Sequence, residues 1–244
     1  MQRGWVPGLS FERNMSFMKV ENPQMVAGRP CSGNGTRQGR VGGLFRVLVF
    51  DCDGVLFDSR DANTRFYSHI LRTIGRPPVR PDQEAFIHMH PVRESLRFLL
   101  PEPVDFQRAW EYTQTIDFKA FNAYLKPEPG LVEFLESASR THCIAMATNR
   151  TVSTRDVLDH FDLSRYFDLV VSASDVRFPK PHPESMEKIF QAFQVSPDDV
   201  LYVGDSEVDE ALAAFTGVFF VAYKNPRLKA SCHISHFNEL YAVI

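Results

Sequence analysis

Carboxylates, hydroxyls and one constrained lysine gather in four short runs of this sequence. The first, Asp51-Cys52-Asp53-Gly54-Val55-Leu56-Phe57-Asp58-Ser59, sets two carboxylates two residues apart directly after an apolar stretch. Paired carboxylates can hold a hard divalent cation, and one of them can attack an electrophile. Taken alone, the run is as readily a loop of solvated acids. Gly54 permits a tight turn and close backbone approach. The second run, Thr148-Asn149-Arg150, offers a hydroxyl and an amide ahead of a helical pattern over 151–161. That placement serves either as an ordinary helix cap or as an anion site completed by free backbone N–H groups. In the third, Phe178-Pro179-Lys180-Pro181-His182-Pro183-Glu184, two prolines whose rings fix φ flank a lysine, a stiff mount for a positive charge. His182 fits a helix start beside Pro183. The fourth, Val203-Gly204-Asp205-Ser206-Glu207-Val208-Asp209, spaces Asp205 and Asp209 four apart, on one face of a helix start. Acids there complement the helix dipole. An apolar strand that leads straight into three of them also suits a site.

Positioning these runs requires strands. Leu44-Phe45-Arg46-Val47-Leu48-Val49-Phe50 reads as a buried parallel strand. So do His142–Ala147, Leu169–Val171, Val200–Val203 and Val218–Val221. Helical patterns at 130–140, 151–161 and 184–193 separate them. Strand and helix in alternation imply an α/β fold with a doubly wound parallel sheet. Ligands bind such sheets at the carboxyl ends of strands, where the four runs would converge. The alternation breaks over 59–126, which shows no strand pattern. Helices are expected there at 63–74, 91–100 and 104–125, with Phe106, Trp110 and Ile116 as candidate core positions. The expected division is therefore an α/β core of 44–58 and 127–244, with an all-helical insert at 59–126 after the first strand. Residues 1–43 hold most of the glycines, the stretch 28–35 cannot bury apolar surface, and the segment is expected to form a disordered, mildly basic tail. Translation starting at Met15, Met18 or Met25 would shorten it.

Composition narrows the function. The net charge of −3 gives no global attraction to nucleic acid or anionic membrane. No apolar run reaches the roughly 18 residues of a membrane span. Cys31, Cys52, Cys143 and Cys232 lie far apart without a CxxC pair, which argues against a zinc site or disulfide framework and suits a cytoplasmic protein.

As a set, the four runs resemble the motifs of the haloacid dehalogenase-like hydrolase superfamily. The branch most similar is that of phosphoglycolate phosphatase and β-phosphoglucomutase, over about 44–244. The motifs are Asp51-x-Asp53-Gly54, Thr148, Lys180 and Gly204-Asp205-x-x-x-Asp209. The resemblance implies a Rossmann-like core with a helical cap at 59–126. It implies that Asp51 is a nucleophile forming an aspartyl-phosphate and that Asp53 is the general acid and base. It also implies Mg²⁺ held by Asp51, the Asp53 carbonyl and Asp205, with Asp209 orienting that shell. Thr148, Asn149 and Lys180 would bind phosphoryl oxygens. Arg93, in His90-Pro91-Val92-Arg93-Glu94-Ser95-Leu96, matches a substrate loop of the cap, with His88 and His90 as lesser candidates. Alkoxide leaving groups need a proton and halides do not, so Asp53 favours phosphoryl chemistry.

The expected activity is a Mg²⁺-dependent phosphatase acting on a small phosphorylated metabolite, phosphoglycolate-like or sugar-phosphate-like. A phosphomutase is the alternative within enzymes, and a catalytically idle binding or scaffold protein the alternative outside them. Oligomeric state is open.

Overall fold

The computed structural model describes residues 45–151 and 153–244. The expected tail at 1–43 and Leu44 lie outside the described residues.

The first strand, β1 (Val47–Phe50), is buried on both faces. It leads through a tight loop into a two-residue strand β2 (Phe57–Asp58). The helical segment follows: α1 (Arg60–Thr73), α2 (Glu84–Met89), α3 (Val92–Leu99) and α4 (Pro103–Thr113), then a 3-10 turn at Phe118–Tyr124. The chain returns through β3 (Lys126–Pro127), which pairs antiparallel with β2. The rest alternates: α5 (Leu131–Ala138), β4 (Cys143–Ala147), α6 (Thr154–His160), β5 (Leu169–Val171), α7 (Glu184–Phe193), β6 (Val200–Gly204), α8 (Glu207–Thr216), β7 (Phe219–Tyr223) and β8 (Cys232–Ile234).

Six strands form one parallel sheet in the order β5-β4-β1-β6-β7-β8. Counting sheet strands alone, this is the doubly wound order 3-2-1-4-5-6, as the alternation implied. Side-chain alternation sorts the core into two layers. Leu48, Phe50, Ile144, Met146, Leu201 and Val203 pack on one face of the sheet. Val47, Val49, Ala145, Ala147, Val200 and Tyr202 pack on the other, under α7 and α8. The helical segment builds its own apolar cluster around Phe66, Ile70, Ile87 and Leu96. Among the described residues no helix is long and apolar enough to cross a membrane.

Two expectations need correction, and one strand was not expected. The helix expected over 104–125 stops at Thr113. The β-branched Thr113, Thr115 and Ile116 weaken it, and the Asp117 carboxylate accepts from Lys119 N and starts the separate 3-10 turn. Phe106, Trp110 and Ile116 accordingly sit at the edge of the cluster, partly buried. The helix expected from 151 begins at Thr154, because a turn closed by Thr154 N and Oγ1 onto the Thr151 carbonyl precedes it. Strand β8, only three residues with His233 exposed at its middle, carried no apolar run to mark it.

Candidate active site

β1 and β6 flank the point where the sheet reverses its winding, the place where an α/β sheet opens a crevice. Asp51 follows β1, Thr148 follows β4 and Asp205 follows β6. With Asp53, Asn149, Arg150 and Lys180 they line one chamber of 60 Å³, roofed by residues of α1 and α2. This exceeds several-fold the roughly 10–15 Å³ needed to admit one water molecule.

The loop after β1 is shaped by Gly54. Its φ of 82° lies where side chains are disfavoured, and its N–H donates to the Phe57 carbonyl at 2.8 Å. A Cβ at this position would stand 2.1 Å from Asp205 Oδ2. Glycine therefore lets the loop pass directly against the acid of the fourth run. Cys52 points away from the chamber into the core and is fully buried. That leaves both flanking acids on the chamber side.

Lys180 is the hub. Its ammonium lies 2.9 Å from Asp51 Oδ1 and 2.7 Å from Asp209 Oδ1, and donates to the Tyr202 hydroxyl at 3.0 Å. The Tyr202 hydroxyl in turn donates to Asp209 Oδ1 at 2.5 Å. Asp209 Oδ2 accepts from the backbone N–H of Asp205 and Ser206 and from Ser206 Oγ. Ser206 Oγ accepts from Asp209 N, which completes a capping box at the start of α8. The helix-dipole role and the site role of Asp209 thus coincide. Every side of its carboxylate is taken, so it orients its neighbours more readily than it ligates an ion.

Burial dominates the electrostatics. It pushes the Asp51 carboxyl up to about 7, against the pull of Lys180 and with added repulsion from Asp209. It pushes Asp205 well above its ordinary value, helped by the charges of Asp209 and Asp51. For Asp209 the raising effect of burial is outweighed by Lys180 and by hydrogen bonds from Lys180, Ser206 and Tyr202, so it is held below its ordinary value. Burial works against the Lys180 charge, but Asp209 and Asp51 overcome it and move the ammonium upward.

Asp53 pairs with Arg150, whose Nη1 donates to Asp53 Oδ1 at 2.6 Å. Arg150 Nε donates to Ser153 Oγ at 3.3 Å, which fixes the guanidinium. Burial opposes this charge too, and Asp53, Cys52 and Tyr67 together outweigh it and move the guanidinium upward. Thr148 is buried, and its Oγ1 accepts from Arg150 N at 3.1 Å. Because α6 starts at Thr154, Thr148 and Asn149 cap no helix. Asn149 reaches the chamber, but its Nδ2 is spent on two carbonyls, Lys180 O at 3.1 Å and Met89 O at 3.4 Å. Its amide N–H groups are therefore not available to phosphoryl oxygens as expected.

Arg93 does not join this group. α3 turns Ser95 and Leu96 inward and leaves Arg93 exposed, its guanidinium 5.5 Å from the centre of the Trp110 ring. His88 and His90 do line the chamber. His182 accepts from Glu184 N at the start of α7, a capping role. Arg150 and Tyr202 stood in the sequence without an assigned role. For Tyr202 the signal was a polar tip in mid-strand, since a buried phenol needs a partner. For Arg150 it was a long cation next to a strand end, where burial demands a counter-charge.

The donor set fits a hard cation. One carboxylate oxygen from each of Asp51, Asp205 and Asp209 lies within 4.8 Å of the others. Among the described residues, four acids, Asp51, Asp53, Asp205 and Asp209, face two cations, Lys180 and Arg150. All-oxygen donors with excess negative charge in a low-dielectric pocket favour a divalent ion.

Known proteins share this fold. A family model described as haloacid dehalogenase-like hydrolase matches residues 48–223. A phosphoglycolate phosphatase of Rhodobacter capsulatus is 28% identical over 212 residues, covering 81% of this chain and 94% of its own. A phosphorylated carbohydrates phosphatase of Thermotoga maritima is 28% identical over 179 residues, covering 70% of this chain and 82% of its own. Among solved structures, a subfamily IA hydrolase of Geobacter sulfurreducens superposes with a TM-score of 0.70 at 38% identity, over 83% of this chain and 97% of that one. A β-phosphoglucomutase of Clostridium difficile shares the fold, with a TM-score of 0.69 at 19% identity over 80% of this chain and 93% of that one.

Proposed function

Since the chain belongs to the haloacid dehalogenase-like hydrolase family, we propose that it is a phosphatase of small phosphate monoesters that works through an aspartyl-phosphate on Asp51. The observation that carries this reading is the Asp51–Lys180–Asp209 cluster in the same chamber as the Asp53–Arg150 pair. The phosphatases of Rhodobacter capsulatus and Thermotoga maritima support it.

In the first half-reaction an Asp51 oxygen attacks phosphorus, the ester P–O bond breaks, and Asp53 delivers a proton to the leaving alkoxide. In the second, Asp53 takes a proton from water as that water attacks the same phosphorus, which frees Asp51 and inorganic phosphate. Lys180 holds the Asp51 carboxylate in place and offsets its repulsion of an incoming dianion. Thr148 supplies a hydroxyl to the phosphoryl group from the end of β4. Mg²⁺, bound by Asp51, Asp205 and the Asp53 carbonyl, would neutralise charge on the transferring group. Asp209 fixes the Asp205 backbone and Lys180 together. Residues 59–126 act as a cap that shuts water out of the chamber during transfer.

Asp51→Asn tests the reading. With Mg²⁺ and a panel of phosphorylated metabolites, the wild type should release inorganic phosphate and the variant should lose at least about a thousandfold in kcat. Equal release by both would exclude Asp51 as nucleophile. Interconversion of sugar phosphates with little net phosphate release would identify a mutase instead.

A further inference from the structure

Two polar atoms of this chamber are buried without a partner, His88 Nε2 and Asn149 Oδ1. Neither is explained by the phosphoryl chemistry. Buried polar atoms left unpaired are uncommon and expensive, so a pair of them in one chamber points to a group that completes them.

Their chemical identity is set by their neighbours. Asn63 Nδ2 donates to His88 Nδ1 at 3.1 Å, which leaves the imidazole proton on Nε2. Burial holds the ring below its ordinary pKa, so it is a neutral donor. The Asn149 amide is oriented by the two carbonyls that its Nδ2 serves, so its Oδ1 is an acceptor. The chamber therefore presents one unpaired donor and one unpaired acceptor. A hydroxyl can accept from His88 or donate to Asn149; a carboxylate can only accept, and is repelled by Asn149. The two cations lining the chamber, Lys180 and Arg150, are already paired with carboxylates.

The position of His88 says which part of a ligand it would meet. Asn63 and His88 line both the chamber and an adjoining cleft of 770 Å³ between the helical segment and α8. With the phosphoryl group against Asp51 and Lys180, the organic part leaves past His88.

We infer that His88 is a specificity-determining residue whose Nε2–H donates to a hydroxyl beside the phosphoester, so that the chain selects hydroxylated phosphate monoesters over carboxylated ones. The inference rests on the phosphatase reading for its substrate class. Asn63 is the positioning residue that holds the donor tautomer.

Binding to the Asp51→Asn protein in Mg²⁺, measured by calorimetry, tests it without turnover. The ligands are 2-hydroxyethyl phosphate, ethyl phosphate and phosphoglycolate. The hydroxyl compound should bind about tenfold tighter than ethyl phosphate, as one hydrogen bond to an otherwise unpaired buried donor requires. Phosphoglycolate should bind no tighter than ethyl phosphate. Adding His88→Leu should bring the hydroxyl-to-ethyl ratio to about one, and His88→Gln, which keeps a donor, should retain most of it. Independently, the His88 Nε2–H resonance should shift with 2-hydroxyethyl phosphate and not with ethyl phosphate. Equal binding of the two esters, tighter binding of phosphoglycolate than of the hydroxyl compound, or a ratio that survives His88→Leu overturns the assignment. Phosphate release by wild type is read separately. Discrimination in binding without release sinks the phosphatase reading and keeps the subsite; release without discrimination does the reverse.

Discussion

Lys180→Met removes a cation that serves two buried acids. The ammonium stands 2.9 Å from Asp51 and 2.7 Å from Asp209. At an effective dielectric of about 20, each such contact is worth about 6 kcal/mol of gross attraction. Desolvation of the three charges takes back most of that. The loss when one partner of a buried pair is deleted is therefore about 3–5 kcal/mol, because the remaining carboxylates stay buried without a counter-charge. For a domain of this size each kcal/mol moves Tm by about 2–4 °C, so the expected fall is roughly 6–20 °C. Circular dichroism melting at pH 7.5 without added metal measures it. Asp209→Asn alone should also destabilise, and the double variant should lose clearly less than the two single losses together, since the two groups share one interaction. Mg²⁺ should recover stability, by about 2.7 kcal/mol at a hundred times its dissociation constant. A Tm within about 2 °C of wild type, or strictly additive losses, would refute the claim that Lys180 balances this cluster.

Metal binding should release protons at pH 6, seen as a buffer-dependent heat in calorimetry, because burial pushes the Asp51 carboxyl up to about 7 and so keeps it protonated until a cation arrives. The linked stability has a definite sign. The folded Asp51 carboxyl titrates near 7 against an ordinary 3.8, so the folded state holds the extra proton between those values. The contribution of this group to metal-free stability therefore falls as pH rises through that window, and Mg²⁺ at pH 8 reverses the fall. Gly54→Ala meets both a left-handed backbone and Asp205 Oδ2 at 2.1 Å. It should lower stability by about 1–2 kcal/mol and raise the Mg²⁺ concentration needed for half-maximal activity, in a metal titration of initial rates. Arg150→Met strands Asp53 and should destabilise by about 2 kcal/mol, measured by urea denaturation, with Arg150→Lys recovering part of it.

Much of this protein was legible before folding. The apolar run ending at Phe50, followed at once by Asp51 and Asp53, already implied a buried strand delivering acids to a sheet edge. Three further runs, after strands or on a loop beyond one, made that edge a candidate site. This works because strand burial and side-chain alternation are local and strongly patterned, and parallel strands aim all their carboxyl ends one way. The elements missed were those without local pattern. β8 is three residues whose pairing with β7 comes from position alone. The break after Thr113 follows from weak propensities that packing decides.

Only tertiary structure could say which charges meet. Arg150 and Asp53 lie 97 residues apart, and Lys180 and Asp51 lie 129 apart in sequence, yet each pair forms one contact. Sequence matched Arg93 to a substrate loop, but the register of α3 sets it over Trp110 instead. Asn149 kept its place in the site and lost the expected use of its amide nitrogen, because two carbonyls it could not anticipate lie within reach. Residue types and spacing determined what chemistry was available. The fold decided which groups remain free to do it, because burial makes every charge and hydrogen-bonding atom depend on the partner that three dimensions bring to it.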